Sequence, residues 1–391
     1  MTAEPINAKL AVDVKHLSCL LLLLAGAPIP GAGQEAKHVS VPELEAAARR
    51  DSNDALAHYE LGVAYAADHQ RDKAKEAFLT AVRIDPQLAP AYVALGRLGS
   101  YELWGGILVA GKGRDSVTLM LRRAFQLDPL EEVSNTSGYY VPMVWKMTID
   151  HALKMYHQDK YKQSRDEFDA LIAKTEKPND PEAIPGVALW YHALASVRLG
   201  APDMAIADVS QLMDRVTRIG SDSTKRENQI TQEYRRALTG HYGYVLAYLH
   251  QLAGHSEEAI RRYQEASEGD LSLYGPHLQM ARIYEGTGSW VQAIVERRRA
   301  IDASPDDPSL VFDLGVTLVK AGEFAEADTV LGQAIAANPR ETRSHYALGI
   351  AKERLGKVAE ARQEYATFLA EAPRRFDQQL IDASRRLAAL P

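Results

Sequence analysis

The stretch of this sequence closest to reactive chemistry is a glycine-rich run, Gly106-Ile107-Leu108-Val109-Ala110-Gly111-Lys112-Gly113. A glycine-rich turn, a lysine and then a hydroxyl residue can cradle phosphates and a magnesium ion. Here Gly113 stands where the hydroxyl is needed, and no strand pattern precedes the run. The run therefore reads as a flexible, partly apolar loop over Ser100–Arg114, with a nucleotide-binding enzyme centred on Lys112 as the alternative. Trp104, in the same loop, reads as an anchor for a partner or a membrane surface. The sequence holds 12 histidines, but His151 and His157 lie on different faces of a helix, and His250 and His255 straddle Gly254. Neither pair has the i, i+4 spacing of a helical zinc site. No G-x-S-x-G elbow is present, and Asp306-Asp307, just ahead of Pro308, fits a helix cap better than an acid pair. Glu131-Glu132 reads as a solvated helix start, and Asn135-Thr136-Ser137 fits a glycosylation acceptor. No catalytic, cofactor-binding or metal-ligating residue is expected.

Composition bounds the rest. The chain has 391 residues, 46% hydrophobic and 25% charged, with 45 basic against 52 acidic side chains. That content is too apolar for disorder, and a net charge of −7 lacks the basic footprint of a nucleic-acid binder. One cysteine excludes an intramolecular disulfide framework. Residues 1–33 read as a leader: Lys9 and Lys15 precede the apolar run Leu17–Ala27, and Gly31-Ala32-Gly33 follows. A basic start, a short apolar run and a small-residue exit are the pattern of a secretory signal peptide, and the run is too short for a membrane span. The expectation is export to a periplasmic or extracellular space, with a cytoplasmic location as the alternative. Cys19 sits ahead of most of the apolar run rather than behind it, which argues against a lipid anchor.

The elements that must position any functional residue come from a repeat. Ala259, Ala293, Ala327 and Ala361 are spaced by 34, as are Gly254, Gly288, Gly322 and Gly356, and Pro305, Pro339 and Pro373. Within Pro308–Glu341, Val311, Leu314, Gly315 and Leu318 share one helical face, Gly322 breaks the helix, and Phe324, Ala327, Leu331 and Ala334 form a second face. Gly315 and Ala327 are small enough to let the two helices approach closely. A pair this short must stack on its neighbours to bury its apolar face.

This pattern resembles the tetratricopeptide repeat. Leu61, Gly62, Tyr65, Ala74, Phe78, Ala81 and Pro86 carry the first copy, and Tyr274–Asp307, Pro308–Glu341 and Thr342–Arg375 the last three. The resemblance implies an all-α, right-handed solenoid of about eight antiparallel helix pairs. The expected order is a linker with a short helix (34–54), repeats 1 and 2 (55–130) with an insertion near 100–114, irregular repeats 3 and 4 with an insertion helix (131–239), repeats 5 to 8 (240–375) and a capping helix (376–391). The insertion helix is expected from about Asn228 to Leu252.

The resemblance also implies a concave wall built from the first helix of each pair, with protein or peptide binding as its function. On this register the wall carries Trp190, Tyr244, Tyr248, Leu278, Arg282, Phe312, Arg343 and Tyr346. These rings either contact a partner or pack between repeats as core. Tyr59 and Val63 stand where repeats that grip chaperone carboxylates carry a lysine and asparagine clamp, so no such clamp is expected. The expected function is a non-catalytic adaptor for a protein or peptide, in envelope or secretion assembly. Self-assembly of the solenoid is an alternative within binding.

Overall fold

The computed structural model describes residues 40–104, 120, 122–130, 143–174, 186–218, 229–269 and 273–391. Every regular element among the described residues is a helix. A lone helix α1 (Val41–Arg50) comes first, followed by the pair α2 (Ala55–Ala67) and α3 (Arg71–Ile84). Next is α4 (Ala89–Trp104), with a short helical stretch at 122–127. The pairs α5 (Met143–Tyr156) and α6 (Tyr161–Ala173), α7 (Gly186–Arg198) and α8 (Pro202–Arg218), and α9 (Gln229–Leu252) and α10 (Ser256–Gly269) follow. The last three pairs are α11 (Gly275–Gly286) with α12 (Trp290–Ala303), α13 (Pro308–Ala321) with α14 (Phe324–Ala337), and α15 (Arg343–Arg354) with α16 (Val358–Glu371). A single 3-10 turn, Arg374–Phe376, leads into the terminal α17 (Asp377–Ala389). Each helix packs chiefly on the ones before and after it in sequence, the contact pattern of an α-solenoid.

The small residues let the paired helices close together. Ala74, Ala205, Ala259, Ala293, Ala327 and Ala361 are all fully buried in second helices. A Cβ added to Gly62 would lie 2.6 Å from the Phe78 ring, one on Gly315 2.5 Å from Leu331, and one on Gly349 2.6 Å from the Tyr365 ring. One first-helix glycine thus admits one large second-helix side chain, in three repeats. The turn between the two helices needs a left-handed residue. Gly322, at φ 86°, ends α13, and the Glu323 N–H bonds back to the Leu318 carbonyl at 3.0 Å. His69 and Asp159 take the same left-handed conformation, each at φ 58°, in the α2–α3 and α5–α6 turns.

Other starts are capped by side chains. Ser40 and Glu43 form a capping box on α1, and Asp307 accepts from the Ser309 N–H at 3.0 Å ahead of α13. The expected insertion helix runs as α9, from Gln229 to Leu252. The expected loop over Ser100–Arg114 is corrected at its start. Ser100 to Trp104 continue α4, because Tyr101-Glu102-Leu103 offer no glycine or proline break before Gly105. The leader at 1–33, the Gly106–Gly113 run with Lys112, Glu131-Glu132, Asn135-Thr136-Ser137 and the side chain of Trp104 lie outside the described residues. No helix among the described residues is long and apolar enough to cross a membrane.

Candidate partner-binding wall

Helices α7, α9, α11, α13 and α15 are the first helices of their pairs and carry the residues expected on the concave wall. Four of these residues are buried: Trp190 is 2% exposed, Tyr244 0%, Leu278 1% and Phe312 3%. Trp190 packs near the rings of His241 and Tyr242, and its indole N–H has no hydrogen-bond partner among the described residues. Tyr244 stands between Phe125 and Tyr263, and burial raises its phenol pKa well above the usual value. Leu278 joins Tyr274, Ala300 and Leu310 in a small cluster. Phe312 is covered by the Arg343 guanidinium, 5.0 Å from its ring centre. Arg343 binds Glu341 through two nitrogens, at 2.8 and 2.5 Å. Arg343 and the remaining three, Tyr248, Arg282 and Tyr346, are half-buried. Burial, with the Asp128 charge nearby, pushes the Tyr248 phenol up to about 12. Arg282 donates to Gln279 at 3.4 Å, and the Tyr346 hydroxyl donates to Asp382 at 2.8 Å.

Much of the burial comes from the chain itself. The segment 122–130, which follows α4, lies against His241 and Tyr244 of α9 and the start of α11. Phe125 stacks on His241 at 4.4 Å and meets Tyr244 edge-on at 5.3 Å. The Tyr244 hydroxyl donates to the Gln126 carbonyl at 2.8 Å, and the Tyr274 N–H donates to the Gln126 side-chain oxygen at 2.9 Å. Leu127 packs beside Leu278 and Tyr274, and Arg123 lies over the Tyr274 ring at 4.7 Å. A Cβ on Gly275 would sit 2.5 Å from the Gln126 carbonyl oxygen, so this approach requires a glycine. His241, stacked in this contact, has its pKa lowered to about 4 by burial alone. Farther along, Arg123 pairs with Asp307, and Gln87 donates to Asp313 at 2.9 Å. Repeats 1 and 2 thereby reach across the face of repeats 5 to 8. The starts of α11 and α13 are covered, at Leu278 and Phe312, while Tyr248, Arg282 and Val319 keep partial exposure.

Two buried polar groups brace the wall: Glu285, which the repeat register places on it, and His192, which the sequence reading had not singled out. Glu285 accepts from Arg297 at 2.7 Å, from Lys320 at 2.9 Å and from the Thr317 hydroxyl at 2.7 Å. Burial pushes its carboxyl up, but the Arg297 and Lys320 charges outweigh that and hold it at about 2. The second is His192 on α7, which lies 2.6 Å from Asp208 and 3.1 Å from Asp169. Burial works against its charged form, and the two carboxylates outweigh burial to raise its pKa. The Asp208 carboxyl is itself raised by burial despite His192. With two acids on one ring, the geometry favours the protonated imidazole. The signal of the Glu285 pair in sequence is a 12-residue step from the end of a first helix into the second: Gln251 to Tyr263, Glu285 to Arg297 and Glu353 to Tyr365 are all bonded pairs. His250 and His255 approach to 3.3 Å, but no group of three or more metal-ligating side chains exists among the described residues.

The family model described as tetratricopeptide repeat matches residues 55–88, and a second model of that description matches residues 312–375. The chain carries tetratricopeptide repeats in both of these regions. Repeats of this kind serve in general as non-enzymatic scaffolds for protein interaction. No curated protein matches the chain. Among solved structures, this repeat protein is similar to the C-terminal part of a TPR repeat-containing protein from Cytophaga hutchinsonii, at 17% identity, covering 62% of this chain and 86% of that one with a TM-score of 0.47. It is also similar to a MamA RS-1 double mutant, at 20% identity over 38% of this chain and 84% of that one, TM-score 0.34. MamA AMB-1 matches at 16% identity over 48% of this chain and 93% of that one, TM-score 0.36.

Proposed function

We propose that this repeat protein is a non-catalytic adaptor that holds a segment of another protein along the wall formed by α9, α11, α13 and α15. The observation that carries the reading is the wall's hold on residues 122–130. Tyr244 and Tyr274 bond to the Gln126 backbone and side chain, while Phe125 and Leu127 fill the apolar spaces between them. A wall that recognises a short stretch of chain in this way has the chemistry to recognise one in a partner. The half still partly exposed offers Tyr248 and Arg282, an aromatic and an arginine of the kind that dominate binding hot spots. Tyr244 and Phe312 serve the fold, so their loss would unfold the wall rather than report on binding.

The test is crosslinked capture from the native host, comparing wild type with Tyr248→Ala/Arg282→Ala after both show equal helicity. A partner captured by wild type and lost by the double variant supports the adaptor reading; equal capture of every partner overturns it. The leader-like residues 1–33 support export and a role in envelope or secretion assembly. Cell fractionation supports that placement if the chain is found outside the cytoplasm and overturns it if all of it remains inside. Self-assembly is answered by a light-scattering concentration series, and a nucleotide role for Lys112 by titration of the purified protein.

A further inference from the structure

Repeat 1 and the C-terminal end of the array meet along a seam made of polar groups. Arg375 pairs with Asp54 at 3.1 Å. Arg340 donates to the Asn53 side-chain oxygen at 3.3 Å and to the Ser52 carbonyl at 3.2 Å. The Asn53 amide donates to the Glu371 carbonyl at 3.4 Å, and the Asn338 amide to the Ile84 carbonyl, also at 3.4 Å. Arg343 lies 3.9 Å from Asp85. Most of these bonds are long, and Arg375 keeps about a third of its side-chain surface in water, at 32%. A seam of this kind fixes how two surfaces register but holds them weakly, since screening and side-chain entropy offset most of each pair.

The two arginines are not equally matched. Consecutive residues, Asn53 and Asp54, face Arg340 and Arg375 respectively. Arg375 has a carboxylate, whereas Arg340 has only a neutral amide oxygen and a backbone carbonyl, with no carboxylate in ion-pair range among the described residues. A carboxylate adds a direct charge–charge attraction, and can accept two parallel bonds from a guanidinium, which a neutral acceptor cannot match. Arg374, exposed beside Arg375, adds a third cation to the same rim. The seam is therefore one carboxylate short of what its arginines can bind.

We propose that this rim is a docking site for an acidic segment of a partner protein. Two adjacent carboxylates of that segment take the places of Asn53 and Asp54 against Arg340 and Arg375, releasing repeat 1 from the C-terminal repeats. This rests on the adaptor reading and gives it a second contact of defined chemistry. The segment gains a full ion pair at Arg340 that the protein's own residues do not make. Release of repeat 1 also frees Arg343 from Asp85 at the edge of the Phe312 wall.

The experiment uses a fluorescein-labelled peptide with a central Asp-Asp flanked by glycine and serine, titrated by anisotropy at low salt. Asn53→Asp completes the seam internally and is expected to weaken peptide binding roughly fivefold, the ratio one partly screened ion pair supplies. Asp54→Asn, which keeps a residue able to cap α2, is expected to tighten it several-fold. Arg340→Gln/Arg375→Gln is expected to remove it. A control, Asp166→Asn/Glu268→Gln, changes net charge away from the seam and should leave binding as in wild type. A pair of spin labels, at Lys75→Cys and Gln363→Cys in a Cys19→Ser background, should move apart when peptide is added. The inference is overturned if the seam variants bind like wild type, if the arginine variant still binds, if the control moves as much as Asp54→Asn, or if the labels do not separate. It is also overturned if inorganic phosphate at matching concentration displaces the peptide, since the rim is then a general anion site. Loss of the peptide effect with capture through Tyr248 and Arg282 intact overturns this inference alone. A bound peptide without any captured partner overturns the adaptor reading on the open wall alone.

Discussion

A single atom decides the sign of several substitutions in these repeats. Gly315 and Gly332 are both helix-interior glycines in one repeat, yet a Cβ on Gly315 would lie 2.5 Å from Leu331, while one on Gly332 meets nothing within 4 Å. Alanine at an open helical site gains about 0.5–1 kcal/mol, and forcing a methyl into a filled core costs about 1–3 kcal/mol. Gly332→Ala is therefore expected to raise the urea midpoint and Gly315→Ala to lower it. Glu285 sets a pH dependence. Its folded-state pKa, about 2, lies below the unfolded value, so its contribution is full above about pH 4.5 and is lost as pH falls through 2. Glu285→Gln removes the carboxylate that Arg297 and Lys320 share, leaving Arg297 with Asp313 alone, and is expected to cost about 1–3 kcal/mol at pH 7. In urea unfolding at stepped pH, the gap to wild type should narrow between pH 4.5 and 2.5. Gly315 was legible in the sequence because its repeat position names its neighbour. The partners of Glu285 were not, since nothing in the repeat spacing shows that Arg297 and Lys320 converge on it.

At the scale of the element, the turn inside each pair is the feature most directly encoded. A left-handed residue ends the first helix of the pairs at Gly200, Gly254, Gly288, Gly322 and Gly356, and glycine alone takes that conformation without strain. His69 occupies it in repeat 1 at φ 58°. His69→Gly is expected to stabilise the protein by about 1 kcal/mol, and Gly322→Ala to destabilise it by about as much, both read as thermal midpoint shifts. Element ends away from these turns were less legible. Where a loop is expected from Ser100, α4 continues to Trp104, because the pattern of glycines suggested an interruption that the intervening residues do not enforce.

Across the whole molecule, the N-terminal repeats fold back on the C-terminal ones, and Gly275 marks the tightest point of that contact. Gly275→Ala would place a methyl against the Gln126 carbonyl and the Tyr244 hydroxyl. It is expected to cost about 1–3 kcal/mol and to separate the two arms, seen as a larger radius of gyration in X-ray scattering with helicity unchanged. This fold-back also decides which wall residues can meet a partner. Tyr248 and Arg282 remain partly open, whereas Tyr244, Leu278 and Phe312 are covered.

The sequence by itself determined the fold class, the 34-residue register, the small residues between paired helices and the glycines in their turns. All of these follow from contacts inside one repeat or between successive repeats, so spacing along the chain reports them. Only the tertiary structure decided that residues 122–130 lie on the wall, that Asn53 and Asp54 meet Arg340 and Arg375, and that most of the expected groove aromatics are buried. The first two sets of contacts join residues more than a hundred positions apart through the accumulated curvature of the array. Small rotations at each repeat set that curvature, and the irregular middle copies, which follow no fixed spacing, contribute to it.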